Sequence, residues 1–146
     1  MKIIAFSDVH GDIHSLQKLE AIILAADKAI FLGDGVNSLE ILDDQITGKL
    51  IAVKGNCDLF CPLPIEQVLE FNGKNILITH GHAYSVKSDL KKIAARVKEL
   101  GADLALFGHT HVFQHMDKLV NVPSLKIGEY VVITLGDEIK VELKRI

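Results

Sequence analysis

The stretch "ADLALFGHTH", residues 102–111, is an apolar run that breaks at Gly108 into two histidines one residue apart, His109 and His111. "ADLALF" reads as a buried strand, because it is short, almost wholly apolar and bounded by glycine. The fold is decided by the recurrence of this ending. "KIIAF" (2–6) runs into Ser7-Asp8-Val9-His10, and "KAIFL" (28–32) into Gly33-Asp34-Gly35. "KLIAV" (49–53) runs into Lys54-Gly55-Asn56-Cys57-Asp58, and "NILIT" (75–79) into His80-Gly81-His82. One such ending is usually a turn. Five apolar strands that each hand over to Asp, Asn or His point to a shared site. In open α/β sheets ligands gather outside the carboxyl ends of the strands, and glycine lets the backbone turn sharply there.

The segments between these strands carry a different period. Leu16, Leu19, Ile22, Ile23 and Ala26 recur at three- and four-residue spacing, which predicts a helix with Ser15 as its N-cap. A weaker helical stretch covers Asn37 to Gln45. Residues 86–100 form a second strong helical pattern, charged on one face, with Gly101 as its stop. "IEQVLEF" (65–71) and "KNILIT" (74–79) are joined by Asn72-Gly73, a hairpin signal. From residue 112 onward, "VFQHM", "KLVNV", "EYVVITL" and "IKVELKRI" read as consecutive strands. Alternating strands and helices followed by a β-rich end indicate a layered α/β domain.

Composition narrows the class. The 146 residues suit one domain, 1–146, with one sizeable core. A chain that is 49% hydrophobic and 24% charged is not a disordered one. No apolar run approaches the roughly 20 residues that span a bilayer, and the N-terminus turns polar after Phe6, too early for a secretory leader. A net charge of −3 gives no reason to expect strong nucleic-acid or anionic-membrane binding. Cys57 and Cys61 are too few for a disulfide scaffold or a cysteine-only zinc site. The expectation is a reduced, cytoplasmic protein away from membranes, with homo-oligomerisation left open.

Three of the strand endings place polar residues at i and i+2: Asp8/His10, His80/His82 and His109/His111. In extended chain such pairs point the same way, about 6–7 Å apart. That separation suits two neighbouring metal ions, which sit about 3.5–4 Å apart in hydrolytic sites. Oxygen and imidazole donors favour manganese, iron, zinc, cobalt or nickel over a structural zinc. Asp34, with two carboxylate oxygens, suits a bridge between them. His14 and His115 join no such group, and Cys61 reads as an ordinary small buried residue.

Asp8-x-His10, Gly33-Asp34, Gly55-Asn56, His80 and Gly108-His109-x-His111 resemble, in order and spacing, the five motifs of the calcineurin-like metallophosphoesterases. The likeness runs from residue 3 to about 111. "GNCD" (55–58) and "THGH" (79–82) look most like the small single-domain bacterial and archaeal phosphodiesterases of that superfamily. The retromer subunit Vps29 shares their fold. The resemblance implies a four-layer αββα sandwich of two mixed β-sheets flanked by helices, with the site at one end of the sheets. It implies that Asp8, His10 and His111 hold one divalent ion, that Asn56, His80 and His109 hold the other, and that Asp34 bridges them. Manganese comes first among the ions, then nickel, iron, cobalt or zinc.

The implied activity is hydrolysis of a small phosphodiester substrate, by attack of a hydroxide that bridges the two ions. Asp34, Asn56, Cys57 and His82 are the implied catalytic positions; His82 would contact substrate or support a ligand. Ser7 and Asp58 are expected to orient ligands. The sequence departs from the family pattern twice. Many relatives carry a His, proposed to protonate the leaving group, where this chain has Cys57, so poor leaving groups should react slowly. Relatives usually carry "NPGS" and a longer loop where this chain has "NVPS" (121–124), so the pocket should be more open. The alternative function is a non-catalytic, Vps29-like interaction scaffold with a vestigial metal site. A nuclease fits less well, since there is no capping domain and no basic excess to hold a strand.

Overall fold

The computed structural model describes residues 1–146. Strand β1 (Lys2–Phe6) shows why the chain forms layers. Ile3 and Ala5 point into one apolar cluster while Ile4 and Phe6 point into another, the period-two alternation of a strand buried on both faces. Strands β2 (Lys28–Phe31) and β3 (Leu50–Ala52) lie parallel to β1 on one side. On its other side β9 (Glu129–Leu135) runs antiparallel and pairs with β10 (Ile139–Arg145), giving the order β10-β9-β1-β2-β3.

The second sheet contains β4 (Glu66–Phe71), β5 (Lys74–Thr79), β6 (Leu104–Phe107), β7 (Gln114–Met116) and β8 (Leu119–Asn121), in the order β4-β5-β6-β8-β7. Strands β5, β6 and β8 are parallel; β4 and β7 are antiparallel to their neighbours. The β4–β5 hairpin turns at Asn72 (φ 51°) and Gly73 (φ 73°), the two positive φ values that a tight hairpin turn of this kind requires.

Three apolar clusters glue four layers. Ile3, Ile30 and Leu32 of the first sheet meet Ile76, Ile78 and Leu106 of the second between the sheets. Helix α1 (Ile13–Leu24) lays Leu16, Leu19 and Ile23 on Ile4, Phe6 and Phe31. Helix α3 (Lys91–Leu100) lays Ile93 and Val97 on Leu77, Ala105 and Phe107. The architecture is the αββα sandwich. Truncating any one of these buried Ile or Leu side chains to Ala would cost about 2–5 kcal/mol. None of the helices is long and apolar enough to cross a membrane.

Several local expectations shift. The N-cap of α1 is Asp12, not Ser15: its Oδ1 accepts from the Ser15 N–H at 3.1 Å and its Oδ2 from the Ser15 hydroxyl at 2.7 Å. A carboxylate that can take both donors outcompetes the serine it binds. The helix expected over 86–100 begins only at Lys91. The Ser88 and Asp89 N–H groups both donate to the Ser85 carbonyl, folding 85–89 as turns. Val86 and Leu90 nevertheless pack against the same cluster as Ile93 and Val97, so the apolar period survives without a helix. The stretch 37–45 resolves into a 3₁₀ turn, Val36–Ile41, and a one-turn helix α2, Asp44–Thr47.

Candidate metal centre

Because β1, β2 and β3 are parallel, as are β5, β6 and β8, all six carboxyl ends reach one edge of the sandwich. Asp8, Asp34 and Asn56 follow the first three, and His80 and His109 follow β5 and β6. The two sheets are tied together there: the His109 N–H donates to Asp8 Oδ2 at 3.1 Å, and His80 Nδ1 lies 2.7 Å from the Leu32 carbonyl.

The side chains converge, though not by extended backbone. Asp8 (φ 53°), His10 (φ 44°), Asp34 (φ 63°), His109 (φ 70°) and His111 (φ 66°) all adopt the left-handed region. The pairs Asp8/His10 and His109/His111 therefore do not project from extended chain as expected; each chain curls at its strand end and brings its side chains inward. Such conformations cost non-glycine residues of order 1–3 kcal/mol each and persist where surrounding contacts over-determine them. Those contacts are present. Asp8 N–H donates to the Gly33 carbonyl at 2.9 Å and His10 N–H to the Asp34 carbonyl at 3.1 Å.

Six of the candidates form two groups. Asp8, His10 and His111 present ligand atoms to one another, as do Asp34, His80 and His109. Asp8 Oδ1 lies 3.0 Å from His111 Nε2 and 3.5 Å from His10 Nε2. Asp34 Oδ2 lies 3.2 Å from His80 Nε2 and 3.8 Å from His10 Nε2, so one oxygen faces a member of each group. His80 Nε2 and His109 Nδ1 are 3.2 Å apart. His80 Nδ1 donates to the Leu32 carbonyl at 2.7 Å, which fixes the ring with Nε2 facing the carboxylates.

Electrostatics suit ligand duty. Burial alone would raise the Asp34 carboxyl, but bonds from His80 and the Cys57 N–H outweigh it and hold it well below the usual carboxylate range. Burial, then the neighbouring His80 and Lys87, push His109 down to about 4, so its imidazole is neutral at ordinary pH. Burial also opposes the charged form of His80, yet Asp34 and Asp8 raise it overall.

The other expected residues are placed less uniformly. Cys57 is exposed, and its Sγ sits within reach of His10 and Asp34, a third candidate ligand group. Burial of the thiol and the adjacent Asp34 raise its pKa. Asn56 is exposed, and its amide has Cys57 Sγ, 3.5 Å away, as its hydrogen-bond partner. His82 joins neither triad; its ring lies 5.6 Å from that of His80 and 6.2 Å from that of His109. Burial and the neighbouring His80 lower the pKa of His82.

The supporting shell is better defined than the rim. Asp58 accepts from the N–H groups of Asp34, Gly35 and Gly55 at 2.8 Å and of Val36 at 3.0 Å, clamping the turn that carries Asp34. Ser7 Oγ donates to Asp8 Oδ2 at 2.6 Å. Ser124, which the sequence did not single out, is 2% exposed and donates to the Asp8 carbonyl at 2.8 Å. Its signal was the "NVPS" segment, whose Ser lies where β8 ends. Gly55 and Gly108 permit this crowding: a Cβ at the first would overlap Asp34 Oδ1, and at the second Ser7 Oγ and Asp8 Oδ2.

A calcineurin-like phosphoesterase superfamily domain matches residues 1–139. The chain belongs to that superfamily. A probable metallophosphoesterase of Bacillus subtilis, YsnB, is 34% identical over 112 residues, which cover 77% of this chain and 65% of the relative. A probable metallophosphoesterase of Methanocaldococcus jannaschii is 40% identical over 86 residues, 58% of this chain and 44% of the relative. The chain thus matches under two thirds of the length of either. Among solved structures, a conserved Streptococcus pneumoniae protein described as a predicted phosphoesterase superposes with TM-score 0.79 at 24% identity, covering 99% of this chain and 88% of that one. A Vps29 single mutant from Entamoeba histolytica gives 0.78 at 18%, covering 100% and 99%. A structure described as a novel archaeal phosphodiesterase gives 0.69 at 20%, covering 99% and 100%. At these identities the likeness is one of fold.

Membership of the calcineurin-like superfamily implies divalent metal, and the residues fit it. Asp8 Oδ1 is fully buried, has no hydrogen-bond donor, and faces imidazole nitrogens at 3.0 and 3.5 Å. A buried polar oxygen left this way is costly in a metal-free protein. A cation would satisfy it.

Proposed function

We propose that the protein is a dinuclear-metal-dependent phosphodiesterase. The observation that carries this reading is Asp34 Oδ2, which faces His80 of one triad and His10 of the other. A carboxylate shared between two ligand groups is the arrangement that holds two ions side by side. In this reading Asp8, His10 and His111 hold one ion, and His80 and His109, with Asn56, hold the other. The two carboxylates among the donors lead us to assign manganese, with nickel, iron, cobalt or zinc as substitutes. The bound ions would supply a nucleophile from water at neutral pH and neutralise charge on the phosphoryl group.

The chain's own groups set the rest. His80, fixed by its bond to the Leu32 carbonyl, and His109, neutral at ordinary pH, hold ring nitrogens inward and keep the ligand cage rigid. Asp58 and Ser7 keep the carboxylates aimed. In this reading Cys57 takes the position of a proton donor to the leaving group, and its raised pKa makes it a poor one. Diesters with acidic leaving groups should therefore be hydrolysed readily, and monoesters and alkyl esters slowly. A cleft of about 390 Å³ lined by His10, Gly35, Cys57 and Leu59 gives small esters access to this side. The scaffold alternative shares the fold, and the same experiment separates the two. Chelator-stripped protein should be inactive toward bis(p-nitrophenyl) phosphate and regain activity with Mn²⁺. Full activity without metal, or none with any of the five ions, would overturn the proposal.

A further inference from the structure

Neither packing nor a disulfide accounts for Cys57. A cysteine that serves as a small apolar side chain is normally buried, and this one is exposed. Both cysteines of the chain are free.

The fold aims the residue at the metal centre. The Cys57 N–H donates to Asp34 Oδ1 at 2.8 Å, which pins it against the shared carboxylate. Sγ then joins a His10 ring nitrogen and an Asp34 oxygen, the three ligand atoms lying within 4.8 Å of one another. His10 belongs to the group of Asp8 and His111, and Asp34 to that of His80 and His109, so the sulfur sits where the two groups meet. His10 Nε2 also lies 3.5 Å from Asp8 Oδ1, the fully buried oxygen that has no donor. The oxygen that calls for a cation and the sulfur thus share one neighbouring imidazole. Asn56 adds a further sign: its Nδ2 donates to Cys57 Sγ, 3.5 Å away. An N–H aimed at sulfur supports the negative charge that a metal-bound thiolate carries.

We propose that Cys57 is a ligand of the ion held by Asp8, His10 and His111, binding it through the thiolate. The inference rests on the dinuclear reading above and deepens it, by naming a donor that decides which metals the centre prefers. On binding, the S–H bond breaks, its proton leaves to solvent, and one metal–sulfur bond forms. Sulfur is a soft donor. It favours zinc or iron over manganese at this position and leaves manganese to the oxygen and imidazole donors of Asp34, Asn56, His80 and His109. Manganese supplied in excess still fills both. Once ligated, Cys57 has no proton to give, which strengthens the expected preference for acidic leaving groups.

Cobalt reports the bond, because charge transfer from thiolate to Co²⁺ absorbs strongly in the near ultraviolet. Full-length Cys61→Ser protein, stripped of metal, keeps Cys57 as its one thiol. Titrated with Co²⁺, it should develop this band, saturating at two ions per chain. Adding Cys57→Ser should abolish the band while the visible cobalt absorption persists. Wild type against Cys57→Ser alone repeats the comparison without touching Cys61. Zinc should slow the reaction of Cys57 with dithiobis(nitrobenzoate) by roughly tenfold or more. The ratio of zinc to manganese affinity should fall by about tenfold in Cys57→Ser. Visible cobalt absorption without the near-ultraviolet band, a thiol that reacts equally fast with zinc present, or an unchanged affinity ratio would overturn the proposal. None of these readouts needs turnover, so the two readings fail separately. A cobalt–sulfur band in protein that hydrolyses no diester would support the ligand and overturn the phosphodiesterase; active protein without the band would do the reverse.

Discussion

The floor and the rim of the metal centre are built differently. On the floor, Asp8, Asp34 and His80 are buried, and each is held by backbone or by another buried side chain. The turn carrying Asp34 alone hangs on three N–H bonds to Asp58, and Gly55 beside it donates a fourth. On the rim, Asn56, Cys57, Leu59 and Phe60 are exposed, and Phe60 holds a φ of 58° with its side chain in water. The contrast teaches where precision is needed. Ligands must be held within tenths of an ångström, whereas the groups that meet substrate can differ between relatives.

Asp58→Ala should break the floor most severely. Four backbone donors would lose an ionised acceptor, at about 1–3 kcal/mol for each one left buried and unpaired, and urea denaturation should record a loss of several kcal/mol. Hydrolysis should fall with it. The pH dependence has a definite sign. Backbone donors hold the Asp58 carboxyl below its ordinary value despite burial. Its contribution is therefore complete above the unfolded value of about 4 and is lost as pH falls through the lower folded one. In Asp58→Ala, the part of the acid-induced stability loss that Asp58 causes should disappear.

A smaller but sharper break is Gly55→Ala. The added methyl overlaps Asp34 Oδ1, so overpacking of about 1–3 kcal/mol is expected. Metal content should drop more than the melting temperature suggests, because the displaced atom belongs to the shared carboxylate. Retention of normal metal content would show that Asp34 tolerates movement and that the floor is looser than described.

Cys57→His probes the rim. A histidine, with a pKa near 6.5, should narrow the gap between aryl and alkyl diesters, by about tenfold or more if it reaches the leaving group. An unchanged aryl-to-alkyl ratio of kcat/KM, with metals intact, would place position 57 away from the leaving group. Phe60→Ser should do least. A side chain this exposed contributes within about 0.5 kcal/mol to stability, and the variant also releases no floor contact. A melting shift of several degrees would show that the 56–62 loop is part of the scaffold after all.

The sequence made the floor legible because its chemistry is unusual. Carboxylates and imidazoles seldom end five apolar strands by chance, and parallel strands carry them to one edge. The left-handed turns at Asp8, His10, Asp34, His109 and His111 were not legible, since no local residue pattern announces a strained backbone held by distant partners such as Asp58. Ser124 was hidden for a similar reason: its bond to Asp8 crosses more than a hundred residues. The turn at 85–89 imitated a helix because Val86, Leu90, Ile93 and Val97 share one buried face.

The claim that Asp34 serves two ions is tested most directly by counting them. Anomalous scattering from manganese-loaded crystals of wild type should show two sites about 3.5–4 Å apart. Asp34→Ala should lose density at both, His111→Ala chiefly at the site beside Asp8, and His109→Ala chiefly at the site beside His80. A single site in wild type, or two full sites in Asp34→Ala, would contradict the account.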